Sequence, residues 1–193
     1  MNMKRTHYNG LLSIENVGQE VTLVGWVAKK RNLGSLLFID LRDRTGIVQV
    51  LCKDPSIVPD VRNEFVITVV GNVGKKDVAN PNLKTGAIEV IAKEVKVISV
   101  ASTTPMIVDN VTDALEETRL KYRYLDLRRP VMQEKLIKRA AIIKAFHQYL
   151  DGHGFIEVET PILTLSTPGG ARDYLVPSRL QKGSFYALSL IHI

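Results

Sequence analysis

Along the first hundred residues, apolar and polar side chains alternate in short runs separated by turn residues. Val21, Leu23, Gly25 and Val27 interleave with Thr22, Val24, Trp26 and Ala28, the period of two that gives a strand one buried face. Leu36 to Arg42 predicts a second strand after a turn at Asn32 to Gly34. Ile47 to Leu51 predicts a third, entered through Thr45-Gly46. A polar stretch with Pro55 and Pro59 follows, and Val58 to Glu64 is read as a short helix. Phe65 to Val73 and Ala87 to Val100 are the fourth and fifth strands, joined by a loop rich in Asn, Pro and Lys. Five strands with a helical turn after the third fit a five-stranded Greek-key barrel of the OB type, in which closure removes the sheet edges. Alternation alone does not separate it from other five-stranded barrels.

The pattern then changes. Residues 101–130 hold no sustained period and read as a hinge, with a short helix around Thr112 to Leu120. From Pro130, a residue suited to the first helical position, Met132, Leu136, Ala140, Ile143, Phe146 and Leu150 recur at spacings of three and four, which predicts an amphipathic helix ended by Gly152 and Gly154. Phe155 to Pro161 reads as a strand. One helix, one strand and a loop leave apolar faces without partners, so the chain is expected to stop inside a domain. The domain reading is residues 1–104 for the barrel, 105–130 for the hinge, 131–187 for the start of a second domain, and 188–193 for a tail.

Composition narrows the function classes. The 193 residues are 45% hydrophobic and 24% charged, which excludes wholesale disorder. No apolar run is long enough for a membrane-spanning helix, and the N-terminal residues lack a secretion signal. Cys52 is the single cysteine, so neither an internal disulfide nor a cysteine metal cluster is available. These absences point to the cytoplasm. The net charge of +6 favours a polyanionic partner without proving one. No metal-ligand spacing exists among the four histidines, and His147 and His153 read as structural.

Three runs carry more than pattern: Arg123-Tyr-Leu-Asp-Leu-Arg-Arg-Pro130, Asp151-Gly-His-Gly-Phe-Ile-Glu-Val-Glu-Thr-Pro-Ile-Leu163, and Gly170-Ala-Arg-Asp-Tyr-Leu-Val-Pro-Ser-Arg179. With Gly25-Trp26-Val27 and Phe38 to Asp43, they resemble the bacterial-type aspartyl-tRNA synthetases, over nearly the whole chain. The Gly-Phe strand ending in Thr160-Pro161 is shared by class II synthetases in general, whereas the run from Gly170 belongs to the aspartyl branch and disfavours the related asparagine and lysine enzymes. The fold implied is α+β: the OB barrel, the hinge, then the incomplete start of an antiparallel-sheet catalytic domain.

The resemblance implies that the barrel grips the anticodon stem-loop of tRNA-Asp. Phe38 would stack on a base, while Arg31, Gln49 and Glu89 would contact base edges and nearby backbone. Lys29 and Lys30 would meet phosphates. On the residues alone, Phe38 reads rather as a core side chain, since strand parity does not tell which face is outside. Gln49 and Glu89 read as solvated strand residues, and the basic run as a solvated strand end. The family's usual acidic residue is replaced here by Asn32. Gly154, Phe155 and Pro161, with the preceding helix, resemble motif 1, which implies a homodimer interface. A helix buried only within its own subunit is the alternative.

Ser166, Thr167, Pro168, Gly169 and Gly170 resemble the mobile loop that closes over L-aspartate. Gly169 stands where the family has a glutamate that binds the substrate's ammonium, so aspartate binding is expected to lose a charged hydrogen bond, about 1.5–3 kcal/mol. Arg172 and Asp173 match the family and are assigned to support of the loop. The intact enzyme would use ATP and Mg2+ to activate L-aspartate before transfer to tRNA. Its ATP-gripping arginines and magnesium carboxylates lie in motifs 2 and 3, downstream of Ile193. The chain as written is therefore expected to hold no catalytic residue, to bind those cofactors poorly and to be inactive. The sequence leaves open whether the parent also charges tRNA-Asn. A stand-alone OB module that binds RNA without chemistry is the competing reading, and it leaves the runs at Gly154 and Gly170 unexplained. Leu188 to Ile193 departs from the family and is encodable by CTG TCT CTT ATA CAC ATC, a transposase recognition end used in sequencing libraries. The tail is therefore expected to be adaptor-encoded.

Overall fold

The computed structural model describes residues 4–166 and 173–188. They divide into two compact units, residues 1–133 and 134–193.

Five strands build the first unit: β1 (Glu20–Leu33), β2 (Leu36–Asp43), β3 (Gly46–Cys52), β4 (Val66–Lys75) and β5 (Ile88–Ser99). They close into a barrel in the order β1-β2-β3-β5-β4, with β4 returning to β1. All pairings are antiparallel except β3 with β5, where Val50 lies opposite Val90. The alternation in the sequence is the alternation of faces. Val21, Leu23, Val27, Ile39, Leu41, Val48, Val50, Ile67, Val69 and Val90 are fully buried inside the barrel, each stabilising it by about 1.5–3 kcal/mol. Closure brings backbones together where only glycine fits. At the irregularity between Val70 and Gly71, a Cβ on Gly71 would lie 2.3 Å from the Ile91 carbonyl oxygen.

A bulge interrupts β1. Val27 pairs with Leu41, but Lys29 pairs with Asp40, so Ala28 is the extra residue and the parity of the strand reverses beyond it. Val27 faces the core, yet Lys29 and Arg31 face outward, where an unbroken period of two would turn them inward. The strand runs on to a tight hairpin at Gly34, whose φ of 66° suits a residue without a Cβ.

The segment after β3 departs from the expected helix. A 3-10 turn forms at Pro55–Ile57, capped by the Asp54 side chain, which accepts from the Ser56 N–H at 2.9 Å. Residues 58–64 are not helical. Pro59 disfavours helical backbone at Val58, and Glu64 sits at φ 66°. The segment bonds the bulged strand instead: the Glu64 N–H donates to the Val27 carbonyl at 2.7 Å, and the Val27 N–H to the Phe65 carbonyl at 2.9 Å.

Residues 105–130 pack within the first unit. The helix expected around 112–120 is displaced to α1 (Glu116–Lys121), followed by the single turn α2 (Arg123–Asp126). The carboxylate of Asp126 is fully buried and accepts from Arg119 Nε at 3.0 Å, Arg123 Nη1 at 2.7 Å and Arg129 Nη1 at 2.8 Å. Arg129 also donates to the carbonyls of Asp109 and Asn110. Glu64 binds Arg42 through both oxygens, at 2.7 and 2.8 Å, and Arg128 at 3.1 Å. Arg128 lies over the Trp26 ring, 4.6 Å from its centre.

Helix α3 (Pro130–Gly152) starts at the expected proline, and Asn110 Oδ1 accepts from the Val131 N–H at 2.8 Å, capping one orphan donor. It ends in a Schellman motif: the Gly154 N–H donates to Asp151 and the Phe155 N–H to Leu150, with Gly154 at φ 79°. In the second unit, β6 (Leu163–Thr164), β7 (Leu175–Pro177) and β8 (Phe185–Leu188) form a small antiparallel sheet in the order β6-β8-β7. The strand expected over Phe155 to Pro161 is not formed. That segment is exposed up to Thr160 and finds no ladder partner among the described residues, and an extended segment without one is not a strand. Among the described residues, no helix is long and apolar enough to cross a membrane.

Candidate nucleic-acid interface

The outward residues of β1 beyond the bulge, of β2, of β3 and of β5 form one polar face around an aromatic ring. Phe38 lies opposite Arg31 across β1 and β2, and Asp40 lies opposite Gln49 across β2 and β3. Leu37, Ile39 and Leu41 point into the core, so Phe38 and Asp40 point out, both half-buried. The core alternative for Phe38 is thereby excluded on strand parity.

Hydrogen bonds tie the polar groups together. Arg31 Nη2 donates to Asp40 Oδ1 at 2.8 Å. Gln49 Nε2 donates to Glu89 Oε2 at 3.2 Å, and Lys76 Nζ donates to Gln49 Oε1 at 3.1 Å. Burial pushes the Lys76 ammonium below the usual lysine range, with the nearby Glu89 and Asp40 carboxylates opposing that shift. Lys29, Arg31 and Lys76 are thus set against Asp40 and Glu89. Such a nearly balanced face attracts phosphate weakly through charge, but offers donors, acceptors and a π surface at close range, the chemistry that reads splayed single-stranded bases.

Lys30 does not belong to this face. It has the opposite parity to Lys29 and Arg31, and its ammonium donates to the Val61 carbonyl at 3.2 Å. Asp40 and Lys76 do belong, and the sequence reading did not single them out. Asp40 was within reach, two residues beyond Phe38 on one strand. Lys76 follows β4, where its N–H donates to the Ala87 carbonyl and extends the ladder with β5.

A second basic feature lies elsewhere on the first unit. A cleft of about 690 Å3 is lined by Trp26, Arg42, Arg44, Lys84 and Arg128, among others. Arg42 and Arg128 are already bound to Glu64, and Arg44 lies over the Tyr8 ring, 4.8 Å from its centre.

In the second unit, Leu136, Ile143, Phe146 and Leu150 on α3 are exposed, as are Gly154, Phe155 and Pro161 beyond it. Ser166 Oγ donates to Asp173 Oδ2 at 2.6 Å. Thr167, Pro168, Gly169, Gly170 and Arg172 lie outside the described residues, as does the tail from Ser189; Leu188 is the last residue of β8. Among the described residues, no three His, Cys, Asp or Glu side chains cluster.

Comparison with known proteins places both units. Residues 21–98 match the OB-fold nucleic acid binding domain, and residues 115–191 match the tRNA synthetases of class II (D, K and N). The chain is thus similar to that class II family, with the barrel matching the OB-fold domain. Within it, the similarity runs to the aspartate enzymes. The chain is 52% identical to the aspartate–tRNA ligase of Lactococcus lactis subsp. lactis (strain IL1403) over 96% of its length, and 53% identical to the aspartate–tRNA(Asp/Asn) ligase of Geobacillus sp. (strain WCH70) over 95%. It spans about a third of the length of these relatives, 33% and 32%. Among solved structures, asparaginyl-tRNA synthetase from Pyrococcus horikoshii, complexed with asparaginyl-adenylate, matches 95% of this chain and 42% of its own at a TM-score of 0.78 and 27% identity. A putative aspartyl-tRNA synthetase from Leishmania major Friedlin shares the fold, with a TM-score of 0.77 at 20% identity over 91% of this chain and 36% of its own.

Proposed function

We propose that this chain is the anticodon-binding and interface-forming part of a cytoplasmic aspartate–tRNA ligase. The observation that carries the reading is the outward cluster of Phe38, Arg31, Gln49 and Glu89 on the OB barrel of a chain that is, over 96% of its length, 52% identical to an aspartate–tRNA ligase. Phe38 stacks on an anticodon base of tRNA-Asp, and the amide, carboxylate and guanidinium groups around it take the edges of the bases. Lys29 meets the phosphate backbone beside them. The apolar stripe of α3, with Phe155 and Pro161, lies against a second copy in the homodimer. The whole enzyme joins the carboxylate of L-aspartate to the α-phosphorus of ATP with magnesium present, releasing pyrophosphate. A ribose hydroxyl of the tRNA then takes the aspartyl group and AMP leaves. The groups that grip ATP and magnesium belong to motifs 2 and 3 of that enzyme, so this segment contributes recognition and not the chemical step. Ser166 and Asp173 hold the base of the loop that covers the amino acid.

The test is binding of the chain to a stem-loop with the aspartate anticodon GUC and to one with its middle base changed. Tighter binding to GUC is expected; equal affinity would remove anticodon reading from the account.

A further inference from the structure

The amide of Gln49 is held at both ends. Its oxygen accepts from Lys76 Nζ at 3.1 Å and its nitrogen donates to Glu89 Oε2 at 3.2 Å. A free amide turns over readily, because its oxygen and nitrogen ends have the same shape and opposite hydrogen-bonding character. Here turning over would set the NH2 against an ammonium and the carbonyl oxygen against a carboxylate. The cation and the anion therefore select one orientation. Each end keeps unused capacity: one N–H beside one oxygen lone pair.

That remaining pair matters because the base edges are ordered. Uracil presents a donor at N3 beside an acceptor at O4, whereas cytosine presents an acceptor at N3 beside a donor at N4. Guanine and adenine are reversed in the same way at N1 and position 6. An amide free to turn satisfies both members of each pair, but a fixed amide satisfies one.

We propose that Lys76 is a positioning residue which, together with Glu89, fixes the Gln49 amide so that the outer face distinguishes a base from its transition partner at one anticodon position. This rests on the reading of that face as an anticodon surface. Three features set Lys76 apart from a solvated surface lysine. It is half-buried, its backbone is fixed to Ala87 at 3.0 Å, and its charge stands among Glu89, Asp40 and Arg31. A lysine placed only for phosphate would have no use for two nearby carboxylates that cancel its field.

The test uses the full 193-residue chain and four stem-loops: GUC, and the single transitions AUC, GCC and GUU. Dissociation constants are measured at one salt concentration, and melting curves confirm that each variant is folded. The unaltered chain is expected to disfavour at least one transition by about tenfold or more, the discrimination of a good bidentate base contact. In Lys76→Met one such ratio falls toward unity, and in Lys76→Arg, which keeps a donor there, it persists. Glu89→Gln, which removes the opposing anion, is expected to lower the same ratio and gives a second reading should Lys76→Met fail to fold. If the unaltered chain discriminates and both Lys76→Met and Glu89→Gln keep every ratio while weakening all four loops equally, the lysine is a phosphate contact and the orientation lock is wrong. If the unaltered chain binds all four loops equally, the anticodon reading itself fails, and the lock with it.

Discussion

Replacing Asp126 by Asn keeps the side chain's shape and removes the charge that three guanidinium groups share. The consequence can be built from the geometry. Arg119 and Arg123 are 33% and 45% exposed, so water already screens them, and each exposed pair contributes about 0–1 kcal/mol. Arg129 differs. Its side chain is 8% exposed, and Asp126 is its only anionic partner among the described residues. Breaking a buried pair costs about 3–5 kcal/mol. Arg129 keeps its bonds to the Asp109 and Asn110 carbonyls, which places the loss at the lower end, about 3 kcal/mol. For a unit of this size that lowers Tm by roughly 10 °C. The assay is intrinsic fluorescence, because Trp26 is the sole tryptophan and Arg128 of the same segment lies over its ring. The hydrogen bond from Arg119, aided by Arg129, holds the Asp126 carboxyl below the usual aspartate range. The unfolded chain therefore takes up the proton first, near pH 3.9, and this stabilisation is full above that pH and is lost as pH falls through the lower folded value. Asp126→Asn should show no such loss in that window. A penalty below about 1 kcal/mol, or an unchanged acid profile, would refute the view that this carboxylate fastens residues 105–130 within the first unit.

Phe38→Ala removes the proposed stacking platform from an outward position. It should weaken binding of the GUC stem-loop by about tenfold or more while leaving the melting temperature nearly unchanged, as paired binding and melting measurements would show. Burial pushes the Cys52 thiol up to about 11; at pH 8 it should resist alkylation in the folded chain and react once denaturant unfolds the barrel, with mass spectrometry counting the adduct. Glu64→Gln removes the charge that Arg42 and Arg128 share, and a lower Tm with altered Trp26 emission is expected in the same fluorescence assay.

Much of the barrel is legible in the sequence because closure imposes an inward face on every strand, and an inward face writes a period of two. The same alternation puts Phe38 and Asp40 on one face of β2, but which face is outward is decided only by the burial of Leu37, Ile39 and Leu41 in the closed barrel. Alternation fails where a tertiary partner decides the backbone. Counting by twos from Val27 turns Arg31 inward, and only the extra residue Ala28 turns it out. Val58 to Glu64 carries residues compatible with a helix, but the bulged strand offers Val27 as a hydrogen-bond partner and the segment pairs with it. Lys76 was invisible because its place depends on how β4 lies beside β5 and how β5 lies beside β3, which no local pattern encodes. Phe155 to Pro161 shows the converse: a strand pattern needs a neighbouring strand before it becomes one.

The most direct measurement is a titration of the isotope-labelled chain with the GUC stem-loop, following backbone amide shifts residue by residue. The account expects the largest changes at Arg31, Phe38, Gln49, Lys76 and Glu89. Changes centred on Arg44, Lys84 and Trp26, with the outer face of β2 and β3 silent, would move RNA binding to the other cleft and contradict it.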